Sequence, residues 1–383
     1  MSRFPGNEKS GKIGLHPTNY EKSCVELEHP KHYMRTLILL LTLSLIYSQP
    51  YIGEGLTGTG LMQFLQDNYT PASTLGYTHA RDTMYAVIDI QEGNQLSCIY
   101  SGYTITLDPT MDPSTDAYNQ GINCEHTFPQ SMGAGSEPQK SNMHHLFPCK
   151  SNVNSSRGND PFAEIQDELT SKWYRNDYYL TNIPTEYIDE YAEKWNPPNP
   201  TDERFEPREE HKGDIARAMF YFYAIYNDVA NDAFWELQKD DLLDWNYLDS
   251  PDSVEITRTW VIASYQNEKP NPFVLDKSLA LRIWFEDQIV YGCMDPTSSN
   301  FNPEANMDDG SCLQWSLGDV SQDSQVDVLD IVLMVSFILG NGTPDAYQFI
   351  SGDVNCDQVI DVVDIVIVVD CVLSGLCQNL GCD

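Results

Sequence analysis

The most informative stretch of this sequence begins with Cys124-Glu125-His126-Thr127-Phe128-Pro129-Gln130-Ser131. It continues with Ser141-Asn142-Met143-His144-His145-Leu146-Phe147-Pro148 and ends with Asn152-Val153-Asn154-Ser155-Ser156-Arg157-Gly158-Asn159. Together the three segments hold an acid, three histidines, several amides and an arginine, which are groups that bind a divalent metal and activate water. This combination is typical of a hydrolase.

The chemistry of individual residues indicates which ions and ligands the site could bind. His126 can act as a neutral base near pH 7, and Arg157 can place its forked guanidinium on a phosphate. Glu125 and Asn154 offer oxygen ligands, which suit Mg²⁺ or Ca²⁺, whereas zinc prefers several His or Cys ligands at regular spacing. The residues themselves therefore favour a hard cation over zinc.

The segments resemble the core of the bacterial endonuclease I family, which comprises secreted or periplasmic nucleases with a ββα-metal (His-Me) finger. The resemblance extends upstream to Cys98-Ile99-Tyr100-Ser101-Gly102 and downstream to Lys212-Gly213-Asp214-Ile215-Ala216-Arg217-Ala218-Met219-Phe220-Tyr221-Phe222. It closes near Asn271-Pro272-Phe273 and covers roughly Tyr51 to Glu286. It implies an α+β fold in which the ββα finger has mostly helical surroundings.

The resemblance also implies roles for the residues of the finger. His126 would be the general base that deprotonates water, and Glu125 and Asn154 would bind one Mg²⁺. Arg157 would brace the helix or contact phosphate. Hydrolysis would leave a 5′ phosphate on the product.

Two positions depart from the family pattern. Asn142 stands where the family usually has Asp, which removes a charge that could orient a histidine. Many relatives carry an Arg in a longer insert between the two strands, but this insert offers only Lys140. The sequence therefore leaves open which cation holds the cleaved phosphate.

Two adjacent histidines allow more than one interpretation. Because His144 and His145 are neighbours, a helix or a strand would point them in different directions, so at most one should face the metal. His145 is a candidate catalytic residue, or it satisfies a backbone carbonyl beside the site. Downstream, aromatic residues at helical spacing predict a core face rather than a base-stacking platform: Tyr221, Phe222, Tyr223 and Tyr226.

The charge of the chain is unusual for a nuclease. Its 383 residues include 22 basic and 57 acidic side chains, giving a formal net charge of −35. A nucleic-acid binder usually presents a basic face. Bound divalent cations and the concentration of acids in the C-terminal tail reduce the conflict, so we expect modest, cation-dependent affinity for DNA.

The N-terminal region has the features of a secretory leader. Met34-Arg35-Thr36 precedes an apolar run from Leu37 to Tyr47 and then Ser48-Gln49-Pro50, which offers a cleavage point. The run is shorter than the roughly 20 residues that span a bilayer. We therefore expect residues 1–48 to be a leader, with translation starting at Met34, and the protein to be secreted without stable membrane insertion; a membrane anchor is the alternative.

Cysteine usage agrees with export, because the chain has ten cysteines. Loss of Cys24 with the leader leaves an odd number. Cys293 and Cys312 bracket one loop and are expected to pair, and two bridges are expected among Cys356, Cys371, Cys377 and Cys382. Within the nuclease, a pair among three cysteines would leave one free thiol, and we expect that pair to be Cys124 with Cys149 because both flank the hairpin.

The chain changes character after the nuclease, which we bound at residues 49–290. Residues 291–314 are rich in turn residues and are expected to be a solvated, disulfide-closed linker rather than a calcium site. Residues 315–383 then carry an internal repeat. Each copy places oxygen-bearing side chains at the loop positions by which an EF-hand wraps Ca²⁺: Asp319, Ser321, Asp323, Asp327 and Asp330, then Asp353, Asn355, Asp357, Asp361 and Asp364.

Each loop precedes an apolar helix, expected at Ile331–Leu339 and Ile365–Leu373. This duplicated pattern resembles a type I dockerin, a small all-α calcium-binding domain in which Asp commonly holds the last ligand position. Ser324 and Gln358 stand where EF-hands prefer Gly, which would strain the turn. The tail would bind a cohesin-like partner or a cell-surface component.

The sequence thus predicts a secreted, metal-dependent, non-specific endonuclease that cleaves DNA, with RNA left open. Two alternatives remain: a calcium-dependent binding or scaffold protein whose nuclease core has decayed, and a relative that prefers RNA. The departure at Asn142 is the first sign of decay. The intact Glu125, His126 and Asn154 argue against it.

Overall fold

The computed structural model describes residues 51–296, 298, 300–312, 316–375 and 377. The predictions of a leader and of a start at Met34 lie outside the described residues, as do Cys24 and Cys382. In the described part of the chain, no helix combines the length and apolar character needed to cross a bilayer.

The structure mixes helices and small antiparallel sheets, in agreement with the predicted α+β class. The helices up to residue 290 are α1 (Gly58–Tyr69), α2 (Tyr77–Thr83), α3 (Pro113–Asn119), α4 (Ser151–Arg157), α5 (Lys212–Ile225), α6 (Asp232–Glu236), α7 (Lys239–Leu248), α8 (Ser253–Tyr265), α9 (Pro272–Leu275) and α10 (Leu279–Trp284). The strands are β1 (Gln95–Ser97), β2 (Thr104–Thr106), β3 (Ile122–His126), β4 (Leu146–Lys150), β5 (Lys172–Arg175), β6 (Tyr178–Leu180), β7 (Ala192–Trp195) and β8 (Arg204–Glu206).

The predicted ββα unit is formed by β3, β4 and α4. The two strands are antiparallel, with Glu125 opposite Phe147 and His126 opposite Leu146. Because side chains alternate along a strand, Glu125 and His126 point to opposite faces of this hairpin. Helix α4 follows β4 directly and ends where Gly158 takes a positive φ of 59°, which favours glycine.

Helix α5 is the centre of the nuclease core. Most of its side chains are buried, and Phe220 packs against the rings of Phe273 and Trp284, which also stack on each other. Tyr221, Phe222 and Tyr226 are buried as well, which confirms the predicted core face. Full burial of such a side chain stabilises the fold by about 1.5–3 kcal/mol, so this helix is a rigid support for the elements packed on it.

Two further sheets flank the hairpin. β1 pairs with β2, and the other sheet has the strand order β6-β5-β7-β8 with all pairs antiparallel. The hydroxyl of Tyr174 on β5 bonds Ser156 Oγ on α4 at 2.8 Å. The four-stranded sheet is thereby tied to the helix of the ββα unit.

The segment after the nuclease is closed by the predicted Cys293–Cys312 disulfide. Within it, β9 (Tyr291–Gly292) pairs in parallel with β10 (Met307–Asp308). Most of its described residues are exposed or half-exposed, as expected of a solvated linker, but Met307 is 3 % exposed and joins the nuclease core. A buried apolar side chain in a turn-rich segment has no periodic signal, so the sequence did not indicate it.

The tail contains α11 (Val328–Ile338), α12 (Ala346–Gly352) and α13 (Val362–Ser374). The two predicted helices begin three residues earlier than expected, at Val328 and Val362, directly after the N-caps Asp327 and Asp361. Helix α12 was not predicted. Helices α11 and α13 pack around a small core of four buried residues: Val320, Met334, Val354 and Val368. Two of the expected cysteines form a bridge, Cys371–Cys377, and Cys356 is also disulfide-bonded.

Candidate active site

His126 lies at the end of β3 and has both ring nitrogens in defined surroundings. Its Nε2 lies 3.0 Å from the carbonyl oxygen of Lys140, and the amide of Gln130 lies 3.5 Å from its Nδ1. Because a carbonyl only accepts, Nε2 carries the proton and Nδ1 keeps its lone pair. Burial lowers the pKa of His126 to about 4, so the ring is neutral at pH 7 and able to accept a proton at Nδ1.

Glu125 lies on the opposite face of β3 and is buried. Its Oε1 accepts a hydrogen bond from the hydroxyl of Tyr100 at 2.8 Å and lies 3.3 Å from the guanidinium of Arg157. Burial raises the pKa of Glu125 to about 7, against the opposing effect of Arg157. Among the described residues no hydrogen bond reaches Oε2, so this oxygen is available to a cation.

Arg157 is buried, and both of its terminal guanidinium nitrogens are bonded. Besides Glu125, it donates to the backbone carbonyls of His126 at 3.3 Å, Thr127 at 2.7 Å and Gly158 at 3.4 Å. A buried arginine with this many acceptors braces the end of β3 against α4. Of the two roles that the sequence suggested, bracing agrees with these contacts.

Asn154 projects from α4 toward the same face as Glu125. Its amide nitrogen donates to Asn123 Oδ1 at 2.9 Å and to the carbonyl of Cys124 at 3.2 Å. Both bonds use Nδ2, which orients the side chain and leaves Oδ1 without a described partner. The ββα unit thus holds a carboxylate on a strand and an amide oxygen on the helix packed against that strand.

The two adjacent histidines point in different directions, as predicted. The ring of His145 lies 5.4 Å from that of His126 and its Nε2 is bonded to the carbonyl of Gln139 at 2.7 Å, whereas its buried Nδ1 has no described partner. His144 Nε2 instead lies 2.8 Å from the carbonyl of Lys269. His145 therefore packs beside the candidate base, and His144 belongs to the surrounding core.

Asn142 is the centre of a buried hydrogen-bond network. Its amide nitrogen donates to the hydroxyls of Tyr221 and Tyr226, both at 2.9 Å. Its oxygen accepts from the backbone N–H of His144 at 3.1 Å and from the amide of Gln266 at 3.0 Å. These contacts make the neutral amide part of a satisfied, buried network that holds the histidine segment.

Sequence reasoning missed a tyrosine and an arginine near His126. The ring of Tyr77, on α2, lies 5.4 Å from the ring of His126. Two cations lie over this tyrosine, Arg81 at 4.7 Å and Lys140 at 4.9 Å from the ring centroid. No motif could indicate Arg81, because it approaches the site only through the packing of α2 against the hairpin.

The predicted pairing of Cys124 with Cys149 is wrong. Both are free thiols in the structure, because neighbouring positions on paired strands carry them to opposite faces. Cys149 instead faces Cys98, with 3.7 Å between the two sulfurs. The sequence alone could not show which two of the three cysteines lie close together, because that depends on which segment packs against β4.

The two tail loops have matching geometry. In the first, the buried Asp319 accepts from the backbone N–H groups of Asp323 and Ser324, and the buried Asp330 accepts from those of Ser321 and Asp327. The second repeats these bonds: Asp353 with Asp357 and Gln358, and Asp364 with Asn355 and Asp361.

The predicted strain at the glycine position of each loop has a structural counterpart. Ser324 has a φ of 68° and Gln358 a φ of 69°, the left-handed conformation that glycine adopts at no cost. Both loops therefore reach the required turn with a residue that disfavours it.

Comparison with known proteins identifies the class to which this fold and site belong. Residues 57–278 match the Endonuclease I family, and the chain belongs to that family. Residues 317–373 match the dockerin type I domain. Both resemblances inferred from the sequence are confirmed.

Two curated relatives share the nuclease part. The chain is similar to an extracellular ribonuclease of Bacillus subtilis (strain 168), at 29 % identity over 250 residues that make up 60 % of this chain and 76 % of the relative. It is also similar to an extracellular ribonuclease of Bacillus amyloliquefaciens, at 29 % identity over 180 residues, or 42 % of this chain and 53 % of that relative.

Proposed function

We propose that the protein is a secreted, divalent-metal-dependent endonuclease that hydrolyses DNA and RNA without sequence specificity and leaves 5′ phosphates. The observation that carries this proposal is the tautomer of His126, fixed by the carbonyl of Lys140 with Nδ1 left as the base. The names of the two Bacillus relatives favour secretion and favour RNA beside DNA as substrate.

The donor set fits Mg²⁺. Glu125 would hold the ion through Oε2 and Asn154 through Oδ1, since the described contacts occupy the other polar atom of each side chain. Oxygen ligands from only two side chains suit Mg²⁺, which keeps several waters and takes further oxygens from a substrate phosphate. When bound, the ion supplies Lewis-acid stabilisation of the charge on the phosphate and on the departing 3′ oxygen.

The side chains then divide the reaction among them. His126 Nδ1 takes a proton from the attacking water as the new bond to phosphorus forms and the bond to the 3′ oxygen breaks. The 3′ oxygen leaves with a proton from solvent. The bond from Nε2 to Lys140 holds the ring through this step, and Arg157 and Tyr100 hold the carboxylate of Glu125 in place.

The tail would bind one Ca²⁺ in each loop through the ten predicted ligand residues. This follows from the buried carboxylates of Asp319, Asp330, Asp353 and Asp364, which meet backbone N–H groups but no Lys, Arg or His within ion-pair distance among the described residues. The calcium-loaded tail, residues 315–383, would attach the nuclease domain, residues 49–290, to a cohesin-like partner or a surface component.

A nicking assay tests the catalytic assignment. We expect the purified protein without residues 1–48 to nick supercoiled plasmid and to degrade an RNA transcript in Mg²⁺, and to do neither with chelator. His126→Ala should lower turnover by at least about two orders of magnitude, the usual contribution of a positioned base. His79→Ala, at an exposed position, is the matched control. Full activity in His126→Ala would overturn the assignment.

The metal assignment has its own pair of variants on one helix. Asn154→Ala should raise the Mg²⁺ concentration for half-maximal cleavage by roughly tenfold or more, as loss of a metal-site partner does elsewhere. Asn152→Ala, at an exposed position of α4, should leave it unchanged. An identical Mg²⁺ dependence in the two variants would remove Asn154 from the ligand set.

A further inference from the structure

Arg81, a cation near the candidate base, lacks the carboxylate partner that four other arginines of the nuclease have. Arg157, Arg217, Arg258 and Arg282 each lie within ion-pair distance of an Asp or Glu. Arg81 is partly buried and has no such partner among the described ion pairs; its Nε, like those of Arg157 and Arg282, has no hydrogen bond. In a chain with 57 acidic and 22 basic residues, a carboxylate partner would be easy to supply.

The position of Arg81 gives this unpaired charge a use. Arg81 and Tyr77 are one turn apart on α2, and the ring that Arg81 covers at 4.7 Å lies 5.4 Å from His126. The side chain of Lys140, which lies between β3 and β4, is 4.9 Å from the centroid of the same ring. The backbone carbonyl of Lys140 orients His126. Two positive side chains therefore contact the ring that packs beside the candidate base.

Arg157 is poorly placed to bind the cleaved phosphate. Its guanidinium is 1 % exposed and already bonded to Glu125 and to three backbone carbonyls, so a phosphate would have to displace structural contacts. The guanidinium of Arg81 has no such commitments. A planar fork with free N–H groups is suited to bind two oxygens of one phosphate.

We propose that Arg81 binds the phosphate that is cleaved, with Lys140 as the second cation. This inference rests on the proposed nuclease function and names Arg81, on α2, as the cation that supplements Lys140 of the short insert between β3 and β4. Arg81 donates to the non-bridging oxygens, Lys140 adds a point charge, and the ring of Tyr77 keeps both beside His126. The negative charge of the 5′ phosphate product is then neutralised by one cation from α2 and one from the insert between β3 and β4.

The test separates binding from catalysis. Steady-state cleavage of plasmid is measured for the wild-type protein, Arg81→Ala, Arg81→Lys and Lys140→Ala. Lys239→Ala is the charge control, because Lys239 on α7 pairs with Glu236 on α6. Fluorescence anisotropy then follows a fluorescein-labelled single-stranded oligonucleotide in the His126→Ala background, with and without Arg81→Ala, from low to high salt. Circular dichroism melting verifies the fold of each variant.

We expect Arg81→Ala to weaken oligonucleotide binding at least about tenfold, the value of a charge-assisted hydrogen bond. The slope of log affinity against log salt should fall by about 0.7 for each lost phosphate contact on a single strand. Arg81→Lys should keep the salt slope but recover only part of kcat/KM, because Lys cannot bind two oxygens at once. Lys140→Ala should show a smaller loss, and Lys239→Ala none.

Three results would overturn the inference. If Arg81→Ala and Lys140→Ala match the wild type in kcat/KM and salt slope while His126→Ala is inactive, the nuclease function stands and the phosphate assignment fails. A loss of activity in Arg81→Ala with an unchanged salt slope and a lower melting temperature would make Arg81 a packing residue. A wild-type protein that neither cleaves nor binds would remove the proposed function and the inference together.

Discussion

The nuclease site and the tail loops both bury carboxylates, but they balance the charge differently. Glu125 is 2 % exposed and lies against the cation of Arg157 and the hydroxyl of Tyr100. Asp330 and Asp364 are fully buried and receive only backbone N–H groups among the described contacts. The first site carries its own counter-charge, whereas the second leaves it to a ligand.

The surrounding cores differ in the same way. The nuclease site rests on a large cluster that includes the aromatic residues of α5, and the tail packs around Val320, Met334, Val354 and Val368. A core of four residues offsets little of the entropy of ordering two loops. We infer that the nuclease site is organised before metal binds, and that in the tail the energy of ion binding contributes to folding.

The largest effect should come from breaking the internal counter-charge. Arg157→Ala leaves Glu125 buried without its cation and removes three hydrogen bonds to backbone carbonyls. We expect the free energy of unfolding to fall by about 3–5 kcal/mol, measured by urea denaturation of the nuclease. Arg175→Ala, whose pair with the more exposed Glu190 lies on the surface, should cost at most about 1 kcal/mol. Equal losses in the two variants would contradict the comparison.

The next effect should come from calcium. In the full chain, amide hydrogen exchange in residues 319–330 and 353–364 should slow when Ca²⁺ is added, by about 100-fold per loop at a concentration 100 times the dissociation constant. Exchange in residues 122–157 should stay the same, because that site already holds its counter-charge. Asp319→Ala combined with Asp353→Ala should abolish the protection. Slow exchange in both loops under chelator would show that the tail does not depend on the ion.

Much of this contrast could be predicted from the sequence, because both sites are built from local patterns. The family resemblance carried by the segments around Glu125, His126 and Asn154 implied a hairpin and a helix that the structure contains. The repeat of Asp319 in Asp353 predicted two matching loops. Residues within one hairpin or one loop are brought together by the geometry of that element alone.

The features that sequence reasoning missed depend on packing between distant elements. Arg81 and Met307 meet their partners only after α2 and β10 have docked, and Cys98 faces Cys149 across such a contact. The partners of Asn142 were not predicted for the same reason, since they include Tyr221 on α5. A single sequence holds no signal for these distances, so the predictions failed where the fold is closed by long-range contacts.

The smallest effect should come from removing the tail, and two truncations make the test sharp. A protein of residues 49–312 keeps the Cys293–Cys312 disulfide and Met307, and none of the described hydrogen bonds joins residues 51–290 to residues 316–375. Because the proposed metal ligands Glu125 and Asn154 and the cation of Arg157 all lie within the nuclease, we expect unchanged kcat/KM in Mg²⁺ and an unchanged melting temperature.

A shorter protein of residues 49–290 also loses Met307, whose side chain is 3 % exposed in the nuclease core. Burial of that side chain contributes about 1.5–3 kcal/mol, so the shorter protein should melt at a lower temperature while the cleavage rate of its folded fraction stays the same. Plasmid nicking and thermal melting of the two proteins side by side separate stability from catalysis. Loss of cleavage in the 49–312 protein, with the core still folded, would show that the tail is part of the active unit and that the two regions are not independent.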